Sequence, residues 1–111
     1  MFYKKDQRGY KQVLEGVGLK TLTYGEKMLL TEFRLAKGSQ LPRHAHSQDQ
    51  TGYLVAGRIQ LAIGDEIIEM EAGDSWYVPG GVEHGAAILA DSVAIEVFSP
   101  VREDYLPERL T

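Results

Sequence analysis

The sequence contains no cysteine, no long apolar run and no basic stretch, and each absence excludes a class of protein. Without cysteine the chain has neither disulfide bonds nor thiolate metal ligands, which suits a cytoplasmic protein. No apolar segment approaches the length of a transmembrane helix, and Met1 to Asp6 turns polar too early for a signal peptide. A net charge of -4 without a basic stripe argues against a nucleic-acid partner. We therefore expect a cytoplasmic protein with no membrane or nucleic-acid partner.

The 111 residues suit a single domain, predicted over 1–111, and the apolar share of 43% is enough for one compact core. Short apolar segments at even spacing, separated by glycine and without a helical period, predict an all-β jelly roll or small barrel. Its core is expected at about 19–99, between an N-terminal strand or arm and a C-terminal helical turn. Ser99 would cap this turn, with Pro100 at its first position. The predicted strands are 19–24, 27–35, 41–46, 53–56, 58–63, 66–70, 74–78, 85–89 and 92–99.

Histidine is scarce, and its placement is the most specific feature of the chain. Of the three histidines, His44 and His46 are alternate residues in an extended segment, so their side chains project to the same face. His84 follows a turn rich in proline and glycine, and a third imidazole from another strand can complete a metal site. The pattern predicts one divalent metal ion; the alternative is that His84 only caps its turn. Zinc, iron, copper, nickel and cobalt suit imidazole, and manganese is allowed if water completes the site.

The spacing around the histidines resembles the two sequence motifs of the cupin family. The resemblance covers 29–98 and implies the cupin double-stranded β-helix, a jelly-roll barrel. Where this chain has Gln50 the family usually carries glutamate, and where it has Ile88 the family often carries asparagine. The metal ligands that the resemblance implies are His44, His46, Gln50 and His84. The motif residues are Gly38, His44, His46, Gln50 and Gly57, then Gly73, Pro79, Gly80, Gly81 and His84.

Glutamine in place of glutamate leaves this ligand set without negative charge. A divalent ion bound there keeps its full charge, so it is a stronger Lewis acid and attracts anionic substrates. Gln50→Glu is accordingly expected to tighten metal binding and weaken Lewis acidity. The glutamine also removes a possible base, so acid–base work and substrate contacts must come from other side chains. The candidates are Gln48, Tyr53, Tyr77, Glu96 and Arg102.

Glu96 and Arg102 are the most informative of these candidates. Glu96 lies among apolar residues in mid-strand, where a carboxylate is costly unless it is paired or functional. Arg102 follows Phe98 by four residues, in a turn predicted to fold back over the barrel mouth. Its planar guanidinium suits a substrate carboxylate. The alternative is a structural ion pair between Glu96 and Arg102, which perturbs both groups without a substrate.

The run from Glu96 to Leu106, together with a glutamine ligand, resembles the pectin-degradation cupins of the KdgF family. Members open unsaturated monouronates into linear keto sugar acids, using a small, usually dimeric barrel with a divalent metal. Phe98 and Arg102 match the family's C-terminal pocket residues, and Glu96 falls where it carries an acidic residue, commonly aspartate. The resemblance implies an enzyme for a small anionic sugar acid, in which Arg102 holds the carboxylate and Glu96 shuttles a proton. The alternatives are a cupin dioxygenase for a phenolic or diketone and a non-catalytic cupin that binds a small molecule.

One predicted strand bears on assembly, because both of its faces are largely apolar. A strand that is apolar on both sides is usually covered on both. If one side lines the barrel, the other needs a second sheet, the N-terminal segment or a partner subunit. We therefore expect a homodimer, with an ordinary monomeric sandwich as the alternative. The two faces consist of Val93, Ile95 and Val97, and of Ala94, Glu96 and Phe98.

Overall fold

The computed structural model describes residues 1–107, which confirm the predicted all-β architecture. The last residues of the predicted domain, 108–111, lie outside the described residues. A 3-10 turn at Glu103–Tyr105 follows the strands. The strands are β1 (Lys11–Leu14), β2 (Val17–Tyr24), β3 (Leu29–Leu35), β4 (Gln40–His44), β5 (Asp49–Ile63), β6 (Glu66–Glu71), β7 (Ser75–Val78) and β8 (His84–Ser99).

The strands form one eight-stranded antiparallel sheet with β8 at its centre. The sheet path is β1-β2-β3-β8-β5-β6, while β4 pairs with β8 and β7 pairs with β5. The path does not close on itself. The first part of β8 lies against β4, its second part lies against β3, and β5 runs along both parts. Strand β8 is therefore hydrogen-bonded to β3, β4 and β5 along its length.

Two pairs of predicted strands are single long strands in the structure. Segments 53–56 and 58–63 belong to β5, and segments 85–89 and 92–99 belong to β8. Gly57 has a φ of 97°, and the register between β5 and β8 shifts on both sides of it. The prediction that Gly57 ends a strand was wrong, because the glycine forms a bulge at which the strand bends and continues.

The C-terminal turn also lies later than predicted. Ser99 is the last residue of β8, where it pairs with Asp49, and its hydroxyl donates to the carbonyl oxygen of Lys27 at 2.8 Å. The prediction that Ser99 caps a helical turn was wrong, because the strand pairing extends through it. Arg102, in an extended conformation, directly precedes the 3-10 turn without a side-chain cap.

Burial alternates along β3, β5, β7 and β8, and the inward faces of these strands form the core. In β8 the side chains of Ala94, Glu96 and Phe98 point inward and are buried. Their neighbours Val93, Ile95 and Val97 are half-buried on the outer face, as the sequence pattern predicted. Within residues 1–107, no helix has the length and apolar character needed to cross a membrane.

Candidate metal centre

The three histidines converge at one end of the core. His44 ends β4 and His84 begins β8, and the pairing of these strands sets the two residues opposite each other. Their ring centroids are 4.4 Å apart, and the ring of His46 lies 4.9 Å from that of His84. One ligand nitrogen from each of the three rings lies within 4.8 Å of the others. The structure thus brings together the predicted histidines into a cluster that can hold a metal ion.

Each histidine ring is held through its Nδ1 atom by a backbone carbonyl oxygen two residues away. Because a carbonyl oxygen only accepts hydrogen bonds, each Nδ1 must carry a proton. In a neutral ring the lone pair then lies on Nε2, the arrangement typical of histidines that bind metal. The contacts are His44 to Pro42 at 2.8 Å, His46 to Gln48 at 3.1 Å and His84 to Val82 at 2.9 Å.

Burial keeps two of these rings in the neutral form that binds metal. Desolvation lowers the pKa of His84 to about 4, and the neighbouring His44, His46 and Arg102 add smaller contributions in the same direction. The pKa of His46 is also lowered, first by burial and then by Arg102. Neutral imidazole is the ligand form, because a protonated ring has no free lone pair at Nε2.

The donor atoms left by this arrangement fit a cation. His84 Nε2 is buried and has no hydrogen-bond partner within residues 1–107, which is unusual for a polar atom in a protein interior. His46 Nε2 and the side-chain oxygen Oε1 of Gln50 lie 2.9 Å apart. Both are acceptors when His46 is protonated on Nδ1, an arrangement that a bound cation would satisfy.

Gln50 is in turn hydrogen-bonded to Glu96, which lies outside the proposed ligand set. The amide nitrogen Nε2 of Gln50 donates to Glu96 Oε2 at 2.6 Å, and Trp76 Nε1 donates to Glu96 Oε1 at 2.9 Å. Burial raises the pKa of Glu96 to about 8, although both hydrogen bonds act in the opposite direction. Sequence reasoning missed Trp76. The available signal was the single tryptophan of the chain, on a short strand whose alternate residues are buried.

Arg102 reaches the same region from the C-terminal segment. Its guanidinium lies 5.4 Å from the ring centroid of Phe98 and 4.1 Å from that of Tyr105. Its Nε donates to Asp104 Oδ1 at 3.2 Å. The alternative of a structural ion pair between Glu96 and Arg102 is wrong, because Glu96 is bonded to other partners and Arg102 pairs with Asp104. Sequence reasoning also missed Tyr105, whose ring packs against the guanidinium of Arg102.

A cavity of about 70 Å³ lies between the histidines and the core. Its wall is mostly apolar, with His44, Gln50 and His84 on one side. Among the described residues of this wall, Glu96 is the only carboxylate and Arg102 the only basic side chain other than histidine. A mostly apolar lining with a few convergent polar groups is the composition usual for a small-molecule site.

The remaining predicted contacts lie outside this cavity. Tyr53 and Tyr77 are on the outer face of the sheet, with 49% and 52% of their surfaces exposed. Their neighbours Gly52, Leu54 and Trp76 face inward, so a tyrosine one position away on the same strand must face outward. Gln48 contacts the cluster through its backbone carbonyl oxygen, and its side chain is not part of the cavity wall.

The cupin motifs are borne out by comparison with a family model. A model of the cupin domain matches residues 31–99, and the chain belongs to the cupin family. The chain is also 28% identical, over 107 residues, to the pectin degradation protein KdgF of Dickeya dadantii. That alignment covers 95% of this chain and 97% of its relative.

Solved structures agree with this assignment. The structure of KdgF from a Halomonas species matches with a TM-score of 0.90 and 29% identity. The match covers 96% of this chain and 100% of the Halomonas chain. An RmlC-like cupin from Shewanella frigidimarina also has a TM-score of 0.90, with 27% identity and 96% coverage of both chains. The predicted cupin fold and the predicted resemblance to KdgF are therefore confirmed.

Proposed function

We propose that this protein is a metal-dependent enzyme that opens the ring of an unsaturated monouronate to a linear keto sugar acid. Similarity to a pectin degradation protein over nearly the whole chain supports the substrate class. The observation that carries the proposal is a cavity whose wall contains His44, His84, Arg102 and one carboxylate, beside the cluster that these two histidines form with His46. A divalent ion held by His44, His46, Gln50 and His84 would supply a positive charge that polarises a substrate oxygen.

The reaction is an isomerisation, so it needs proton transfer but no second reactant. The anomeric hydroxyl loses a proton and the bond from its carbon to the ring oxygen breaks. The ring oxygen becomes an enol, which takes up a proton on carbon as it turns into a ketone. One proton leaves and one is added, so a single carboxyl group that accepts and returns it is sufficient.

Two side chains of the cavity wall suit these steps. Arg102 has both Nη groups without a hydrogen-bond partner among residues 1–107, so its guanidinium is available for a bidentate contact with the substrate carboxylate. The rings of Phe98 and Tyr105 hold the guanidinium in place. Glu96 is the acidic group of the wall and is assigned the proton transfer.

The test is direct. Metal-loaded protein is incubated with unsaturated galacturonate, while the conjugated ultraviolet absorbance and the product NMR spectrum are followed. We expect the absorbance to fall and a linear keto acid to appear. Metal in buffer and metal-treated His84→Ala protein are the controls. Rates equal to those of the controls would remove the proposal.

We further propose that the protein works as a homodimer joined through the outer face of its sheet. Val93, Ile95 and Val97 are half-buried there, and the adjoining Tyr53 and Val55 are exposed. A contiguous exposed apolar patch on a soluble protein commonly marks an interaction surface.

A second copy is the partner that we propose for this face. Glu32 and Arg34 of β3, which are paired with Ile95 and Val93, border the apolar patch, and they form an ion pair of 3.3 Å within the chain. A two-fold axis can therefore bury the apolar residues of both subunits without leaving either charge unpaired. Light scattering should give twice the chain mass for the wild type and for Ile67→Arg on exposed β6, and the monomer mass for Tyr53→Arg. A monomeric wild type at micromolar concentration would contradict the proposal.

A further inference from the structure

We propose that Glu96, held by Trp76, is a positioning residue that orients the side-chain amide of Gln50 with its oxygen toward the three histidines. The inference rests on the metal site of the proposed function, and it identifies what selects the fourth donor atom of that site. It also accounts for the glutamine where cupins usually carry glutamate.

The two ends of the Gln50 amide differ in their ability to bind a metal ion. Only the oxygen of an amide binds a metal ion, because the nitrogen lone pair is delocalised into the carbonyl group. The side chain itself has no preference for either orientation. Glu96 removes this ambiguity, because its Oε2 accepts a hydrogen bond from the amide nitrogen Nε2 of Gln50 at 2.6 Å. The planar amide then turns Oε1 toward His46, 2.9 Å from Nε2 of that ring.

Burial and a hydrogen bond from Trp76 keep Glu96 in place. Its side chain is 7% exposed, and Trp76 Nε1 donates to its other oxygen at 2.9 Å. Rotation of the carboxylate would break both bonds in a place that water barely reaches, and a buried polar group without a partner is costly. The indole and the amide thus fix the carboxylate from opposite sides.

The indole and the carboxylate meet in a space that only glycine leaves free at position 52. Gly52 of β5 lies between them, paired with Trp76 on one side and with Glu96 on the other. A Cβ at Gly52 would be 2.2 Å from the indole nitrogen and 2.5 Å from Glu96 Oε1. The absence of a side chain at position 52 is therefore a requirement of this hydrogen-bond network.

The pairing of a donor with an acceptor also limits the residue at position 50. With glutamate there, two carboxyl groups would face each other across the present distance of Gln50 from Glu96, which is 2.6 Å, and a proton would have to lie between them. Glutamine supplies an N–H donor to Glu96 without that proton. The two positions should therefore tolerate an exchange of their residues better than either single change.

The experiment compares Glu96→Gln, Gln50→Glu and the double exchange. Affinity for zinc(II) is measured by chelator competition, and the visible absorption of bound cobalt(II) reports the donor set. We expect Glu96→Gln to weaken zinc binding by about 10- to 100-fold, as loss of a ligand's hydrogen-bond partner commonly does. A single amide oxygen at position 96 cannot serve both Trp76 and Gln50, so the amide of Gln50 turns over and the cobalt bands shift.

The double exchange is the distinguishing variant. The new amide at position 96 accepts from Trp76 and donates to the new carboxylate at position 50, whose other oxygen faces the histidines. Zinc affinity should therefore return at least to the wild-type value. The matched control exchanges Gln60 and Glu69, an exposed cross-strand pair of β5 and β6. That exchange should leave zinc affinity within about twofold, since surface charge pairs contribute little.

The results distinguish failure of the metal site from failure of the positioning role of Glu96. A wild type that does not bind zinc overturns the metal site and this inference with it. Wild-type binding with equal affinity and an equal cobalt spectrum in Glu96→Gln overturns only the positioning role. Weakened binding that the double exchange does not recover also overturns it, because a merely structural residue gives that pattern. If Glu96→Gln does not fold, Trp76→Phe decides: reduced affinity supports the role of the network and unchanged affinity overturns it.

Discussion

Replacing Arg102 with alanine should damage substrate binding far more than folding. The side chain is 15% exposed, lines the cavity, and makes one hydrogen bond to other residues of the described chain, from Nε to Asp104. Its Nη groups are the part expected to bind the substrate carboxylate. Alanine therefore removes a contact that matters chiefly when substrate is present.

The two costs can be compared. Loss of a bidentate arginine–carboxylate contact costs about 2–4 kcal/mol, or about 30- to 1,000-fold in kcat/KM. The ion pair with Asp104, which is 64% exposed, is worth about 1 kcal/mol at most. The contact with the Tyr105 ring at 4.1 Å adds about 0.5–1 kcal/mol. The free energy of unfolding should thus fall by about 1–2 kcal/mol, which leaves the protein folded.

The assay is steady-state kinetics with unsaturated galacturonate at saturating metal, alongside metal content and urea unfolding. Asp104→Asn is the matched control, because it weakens the ion pair and keeps the arginine. Its kcat/KM should stay within about twofold of the wild type. Arg102→Lys should recover only part of the loss, since lysine keeps the charge without the planar fork.

One outcome would refute this reasoning. If Arg102→Ala lowers the free energy of unfolding but leaves kcat/KM unchanged, then Arg102 supports the C-terminal segment through Tyr105 and Asp104. Arg102 would then not bind a substrate carboxylate, and most of the structural support for a uronate substrate would be lost.

The other predictions concern the metal, the proton carrier and the space around it. Alanine in place of any one of the three histidines should release or greatly weaken the bound metal, and full metal content in all three variants would contradict the site. Glu96→Gln, measured at saturating metal, should lower kcat more than it raises KM, because it keeps the volume of the side chain and removes the proton carrier; an unchanged kcat would exclude that role. Gly52→Ala should lower the free energy of unfolding by about 1–3 kcal/mol or more, since its Cβ would lie 2.2 Å from Trp76. Gly25→Ala should show no such loss in a parallel urea titration, because within residues 1–107 a Cβ at this position meets no atom within 4 Å other than those of its chain neighbours.

The effect of Gln50→Glu shows how the structure changes a prediction made from sequence. By ligand type alone, the added charge should tighten metal binding. In the structure Glu96 lies 2.6 Å from the Gln50 amide, so the same change brings two carboxylates together. The two carboxyl groups would share a proton, which offsets part of the charge gained at the ligand, so tighter binding is now expected only when position 96 is changed as well.

Much of the fold was predictable from residues that are near each other in the chain. The alternation of apolar residues in β3 and β8 and the glycine turn after Ile63 depend on local periodicity, and the structure has both. Strand ends were less predictable. Gly57 has the composition of a strand end, but the neighbouring strand pairs with residues on both sides of it and the strand continues.

For the site, the sequence by itself determined the histidine cluster, the neutral glutamine and the membership of the cupin family, because the motif spacing carries them. Only the tertiary structure decided that Tyr53 and Tyr77 face outward and that Trp76 and Tyr105 belong to the cavity. The Trp76–Glu96 and Gln50–Glu96 bonds join residues 20 and 46 positions apart. Such contacts depend on the register of three strands, and a shift of one residue would turn each side chain to the other face. That register is set by the packing of the whole sheet, which no local pattern of residues records.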